Sequence, residues 1–166
     1  MSDFTTALVA EATKRAGLLW IELPELPQPR AAWHIWHDGA AYVLTGGEGE
    51  QPLPGLPEAA HVTVIVPSKD TGGRLVTWVA EVTEVEPGTS EWDAVVPLLA
   101  KERLNGDQGQ AERWAHESYV MRLAPTGAAD TGHPAGYAAV RPVPTPATTT
   151  GRRPFMLGAK HRKADR

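Results

Sequence analysis

The chain opens on a helical spacing of apolar positions. In residues 5–16, Leu8, Val9, Ala12 and Ala16 recur with polar residues between them, which predicts an amphipathic helix. Asp3 or Thr5 is placed to cap it and Gly17 to stop it. The segment is short and rich in Ala, so it reads as a lid helix that packs on something larger.

From Gly17 onward the period changes to that of strands. Residues 18–23 form a compact apolar run, ended by residues 24–29, where three prolines in six positions forbid helix. Residues 31–36 read as a strand, and His37-Asp38-Gly39 supplies the Asp-Gly signal of a tight hairpin into residues 41–45. Residues 46–57 are a Gly, Glu and Pro loop. Residues 61–66 and 74–85 are rich in β-branched residues and Trp, and a Lys69-Asp70-Thr71-Gly72-Gly73 turn joins them. Pro87-Gly88 ends the second of these strands.

Thr89 or Ser90 then caps a helix carrying Trp92, Val95, Val96, Leu99 and Leu104 on its apolar side. Glu91 and Asp93 lie in its first turn, Lys101 and Arg103 in its last. Pro97 falls in the middle, which predicts a kink or a break between Asp93 and Leu98. Residues 105–110 read as a loop and 118–123 as a last strand closed by Pro125. Beyond Thr126 the composition turns to Ala, Gly, Pro and Thr, with a Pro/Thr linker at 143–150. Six short strands joined mostly by hairpins predict a mainly β (α+β) domain. The expected form is a six-stranded antiparallel split β-barrel with peripheral helices; an open sandwich is the alternative. The expected division is a barrel domain over residues 1–140 and a linker with a basic tail over 141–166.

Charge sharpens that division. Residues 1–140 hold 9 Lys/Arg against 19 Asp/Glu, and residues 141–166 hold 7 against 1, within an overall net charge of −4. An acidic body argues against nucleic acid and anionic membrane as partners. The basic tail is the part that would touch nucleic acid or lipid, if any does. Its Phe155, Met156 and Leu157 are expected to anchor it back on the domain, with Arg152 or Arg153 near Thr45 and Gly46. The chain has no cysteine, which excludes thiolate metal sites, iron–sulfur clusters and thiol nucleophiles. No run approaches the 18 apolar residues of a membrane span, and the acidic N-terminus is unlike a signal peptide. A soluble, cytoplasmic protein is expected.

Candidate chemistry is sparse. His34 and His37 fall on opposite faces of one strand, so no shared metal is expected. No Gly-x-Ser-x-Gly elbow is present, and no residue is assigned a catalytic role. Gly46-Gly47-Glu48-Gly49-Glu50 has the glycines of a phosphate loop but carries two carboxylates and no Lys or Arg. Six tryptophans are many for 166 residues. Trp78 and Trp92 read as core, whereas Trp20, Trp36 and Trp114 read as exposed rings that need a cover.

Pro27-Gln28-Pro29-Arg30, the strand at 31–36, Asp38-Gly39, Tyr42-Val43-Leu44-Thr45, the strands at 61–66 and 77–82, and Trp114 through Pro125 follow one another in a known order. That order resembles the split-barrel family of flavin and deazaflavin oxidoreductases, typified by pyridoxamine 5′-phosphate oxidase. The resemblance spans residues 18–125. It implies a homodimer with FMN or a deazaflavin in a groove between subunits, and hydride transfer to a small substrate. It implies cofactor contacts at Arg30, Thr45 and Gly46, completed from the partner chain by Trp114 and Arg122. Where the family has a Lys or Arg after the third strand, this chain has Glu48-Gly49-Glu50-Gln51, and two carboxylates without a cation disfavour a phosphate. A second reading follows from that departure: a non-catalytic split-barrel module that holds a small planar ligand.

Overall fold

The computed structural model describes residues 3–69, 73–103 and 109–130. The linker, the tail and its Phe155-Met156-Leu157 anchor lie outside the described residues. In chain order the elements are α1 (Asp3–Arg15), β1 (Leu19–Glu22), β2 (Arg30–Ala32), β3 (Ile35–His37), β4 (Ala40–Thr45) and β5 (His61–Pro67). There follow β6 (Arg74–Glu84), α2 (Ser90–Glu102), α3 (Gln110–Glu117) and β7 (Tyr119–Asp130).

The strands form a single antiparallel sheet in the order β2-β1-β5-β6-β7-β4-β3. Its two outermost strands, β2 and β3, are separated by only Trp33 and His34. So short a link forces the sheet to curl until its edges meet. The result is a split barrel, as expected, with seven strands in place of six. The extra strand arises because residues 31–36 are not one strand. The ladder stops at Trp33, whose N–H and C=O bond instead to the Gln51 side-chain amide, at 2.9 and 3.1 Å. One glutamine thereby satisfies the backbone at the split, where an unpaired peptide would be costly.

The alternation of β4 divides two cores. Ala41 and Val43 join the barrel interior with Leu19, Ile21, Val64 and Trp78, and Val9 and Ala12 of α1 complete that cluster. Ala40, Tyr42 and Leu44 face the other way, under Trp92, Val95 and Leu99 of α2 and Trp114 of α3. With both faces covered, all six residues of β4 are buried. Trp36 is half-buried and stands edge-on against Trp78, with ring centroids 6.4 Å apart. The outer face of β1, β5 and β6 is covered less completely: Leu18, Trp20 and Leu75 are 46%, 44% and 37% exposed, although Ile65 between them is buried.

Several local expectations meet their physics here. Asp38 and Gly39 have φ of 43° and 76°, the pair of positive values a two-residue hairpin of this hand requires. The first helix begins at Asp3, so Thr5 lies within it rather than capping it. Thr89 caps α2, its hydroxyl accepting the Trp92 N–H at 3.2 Å. The predicted break at Pro97 does not occur: α2 is continuous from Ser90 to Glu102. Pro97 and Asp93 both lie on the exposed side, where water can serve the carbonyl that the proline leaves without a donor.

The last strand runs past Pro125 rather than ending there. By then β4 has already ended its pairing at Leu123, so the missing proline N–H faces no partner strand. The ladder with β6 shifts between Trp78 and Ala80, and the Thr126 hydroxyl bonds the Val79 carbonyl across the gap at 3.1 Å. Helix α3 was not foreseen. Its mostly polar sequence buries only Gln110 and Trp114, too few apolar positions to set a period. Among the described residues no helix is long and apolar enough to cross a membrane, and no cluster of metal-ligating side chains occurs.

Candidate functional site

The end of β4 and the loop after it form the corner to which the resemblance points. Thr45 is buried, and its hydroxyl accepts the Leu53 N–H at 3.0 Å and donates to the Gln51 carbonyl at 3.1 Å. The chain then turns through Gly46 and Gly47, with φ of 75° and 83°. A Cβ on Gly47 would stand 2.6 Å from the Ser118 hydroxyl and 3.1 Å from the Glu117 carbonyl, so any other residue there would be crowded as well as strained. The loop is thus pressed against the junction of α3 and β7.

Beyond this turn the acidic loop meets a cation that sequence reasoning missed. Arg103, at the end of α2, pairs through Nη1 with Glu50 Oε2 and donates from Nη2 to the Gly49 carbonyl at 3.3 Å. The other Glu50 oxygen accepts the Trp114 indole N–H at 2.8 Å. The Glu50 side chain is only 4% exposed, so its charge is stabilised by these two donors rather than by water. The sequence separates Arg103 from Glu50 by 53 positions, and only the packing of α2 beside the loop brings them together. Glu48 is exposed.

Of the five residues carried over from the family, three gather here. Thr45 and Gly46 are adjacent, and Trp114 joins them through Glu50. Trp114 is 1% exposed; the expectation of an exposed ring there is corrected, because α3 folds it under the sheet. Arg122 lies on β7 opposite Tyr42, about 10 Å along the ladder from the Thr45–Tyr119 pair. Its Nε reaches Glu91 Oε1 at 3.3 Å, and the Tyr42 hydroxyl donates to the same oxygen at 2.7 Å. Burial first, and then the bond to Glu91, push the Tyr42 hydroxyl up to about 12, so it stays a donor at neutral pH. Arg30 is exposed on β2, paired with Ile21 at the far end of the sheet order. Among the described residues, no hydrogen bond or ion pair joins Arg30 to the corner.

A flavin phosphate does not fit this corner as it stands. The Thr45 hydroxyl has both a donor and an acceptor, the Arg103 fork is closed by Glu50 and Gly49, and the Trp114 N–H is engaged. The Nε of Arg103 is buried and has no hydrogen-bond partner. An incoming dianion would displace a carboxylate and then remain close to it. Two open cavities, of about 300 and about 340 Å³, lie elsewhere, and none of the five residues lines either.

No family model matches the sequence, and no curated protein does. Solved structures do match in shape. HutZ, the heme storage protein from Vibrio cholerae, superposes with a TM-score of 0.53 at 15% identity, over 74% of this chain and 91% of that one. An F420 reductase gives 0.51 at 16% identity, over 74% and 95%. ChuZ from Campylobacter jejuni gives 0.50 at 8% identity, over 75% and 54%. At these identities the likeness establishes the fold. This chain is a split barrel of the kind that the F420 reductase and the heme storage protein share, and the resemblance read from its sequence holds at that level.

Proposed function

We propose that the protein is a non-catalytic split-barrel binding module, one that takes a small planar ligand and does not anchor a flavin phosphate. The observation that carries this reading is the buried Glu50 carboxylate, which already occupies Arg103 and Trp114. The corner is thereby charge-balanced without a ligand. A flavin titration tests it. The purified full-length protein is expected to be colourless and to leave FMN fluorescence unquenched at micromolar protein. A yellow protein, or saturable FMN quenching, overturns the reading.

The second reading is an oxidoreductase that uses FMN or a deazaflavin to pass a hydride to a small substrate. The likeness to the F420 reductase over 95% of that chain favours it. It requires a phosphate grip other than Thr45 and Arg103. A mass spectrum of any co-purifying small molecule distinguishes the two readings.

Both readings include a homodimer. Its support is the partly exposed sheet face, where Trp20, Leu18 and Leu75 present apolar surface beside the buried Ile65. Sedimentation at twice the chain mass of 17.9 kDa is expected. A stable monomer at micromolar concentration would remove the dimer and any ligand groove between subunits.

A further inference from the structure

We infer that the groove between the end of α1, β3 and the end of α2 binds a small aromatic acid. Its volume is about 340 Å³, within the range of small-ligand sites and suited to one or two rings. Lys14 stands on the α1 wall and Lys101 on the α2 wall, with Ile35, Trp36 and Leu98 between them.

The two lysines are the unusual element. Each lies in the last turn of its helix, where a cation ordinarily offsets the helix dipole and meets free carbonyls. Three of those carbonyls already have other donors. The Ala16 N–H reaches Ala12 at 3.1 Å, His34 Nε2 reaches Thr13 at 2.8 Å, and the Arg103 N–H reaches Leu99 at 3.1 Å. Among the described residues, neither ammonium has an ion-pair or hydrogen-bond partner. Glu102 also lines the groove, so two positive charges face one negative charge. A single acid group restores the balance.

The apolar part of the ligand would have a fixed surface to meet. The Trp36 indole is held edge-to-face on the buried Trp78, so little side-chain entropy is lost on stacking against it. Leu98, 37% exposed, lines the same groove. His34, also on the wall, is held neutral by burial and adds no charge. The site lies apart from the Thr45 corner, so the flavin titration does not decide it.

The test uses two dyes of similar shape and the full chain. The probe is 8-anilinonaphthalene-1-sulfonate, and its uncharged counterpart is N-phenyl-1-naphthylamine. The sulfonate is expected to bind with one dye per chain and to quench tryptophan emission. Replacing both lysines (Lys14→Gln with Lys101→Gln) is expected to weaken it about tenfold, from two partly screened charge contacts. The uncharged dye should bind both proteins alike. Added salt should weaken only the sulfonate in the unmodified protein, a readout that does not depend on any variant folding. Equal sulfonate affinity in the double variant, or loss of binding on Trp20→Ser at the partly exposed sheet face, would overturn the proposal.

Discussion

Two places in this molecule gather polar side chains around tryptophan, and they differ in what is left unpaired. In the corner after β4, the side chains that could grip an anion are largely engaged: Thr45 has Leu53 and Gln51, and Glu50 holds Arg103 and Trp114, while the buried Arg103 Nε is left without a partner. In the groove beside α1, the carbonyls of Ala12, Thr13 and Leu99 at the helix ends are met by other donors, and two lysines remain without partners among the described residues. Polar content alone is therefore a poor guide to a ligand site. The corner is built for stability, and the groove retains unmet charge.

The sharpest way to break that contrast is at Arg103. Arg103→Met leaves Glu50 buried with one donor, and a loss of about 3 kcal/mol in denaturant unfolding is expected. A loss below about 0.5 kcal/mol would show that the corner does not depend on the pair. Gly47→Ala comes next. A left-handed alanine whose Cβ crowds Ser118 should cost about 2 kcal/mol, and a neutral result would mean the loop relaxes freely. Gln51→Ala removes both bonds to Trp33 and should cost about 1–2 kcal/mol. Amide exchange at Trp33 should accelerate with it, and unchanged exchange would deny the glutamine its place at the split.

On the groove side the expected effects are smaller. His34 has its pKa lowered from 6.5 by burial, partly opposed by the bond to the Thr13 carbonyl. The unfolded chain therefore binds a proton before the folded one does. Stability from this group is present above about pH 6.5 and falls as the pH drops below it. His34→Gln should flatten that part of the stability profile; an unaltered slope would mean that His34 is not held neutral. Lys14→Gln and Lys101→Gln should each leave the thermal midpoint within a degree or two, since exposed lysines without partners contribute little to the fold.

Much of the fold was legible because hairpins are local. Asp38-Gly39, the β-branched runs and the Thr89 cap each declare themselves within a few residues. The split at Trp33 did not, because its cause is Gln51, 18 positions away. The continuity of β7 through Pro125 depends on where β4 stops pairing, which no local pattern records. The corner shows the same limit. The loop's two carboxylates were visible in the sequence, whereas the cation that answers one of them comes from the end of a helix 53 positions later. Trp114 read as exposed because α3 offers too few apolar positions to announce a helix.

The strand order also bears on how the chain assembles during synthesis. β7 lies between β6 and β4, yet among the described strands it is the last made. Until it is released from the ribosome, the strands can form only two separate pieces, β2-β1-β5-β6 and the β4-β3 hairpin. Neither piece closes over the interior cluster. The nascent chain must therefore carry the unsatisfied edges of β6 and β4 until β7 emerges, and β7 joins the two pieces in one long-range step. Such non-local closure is slow, and the open edges are exposed to pairing with other chains in the meantime.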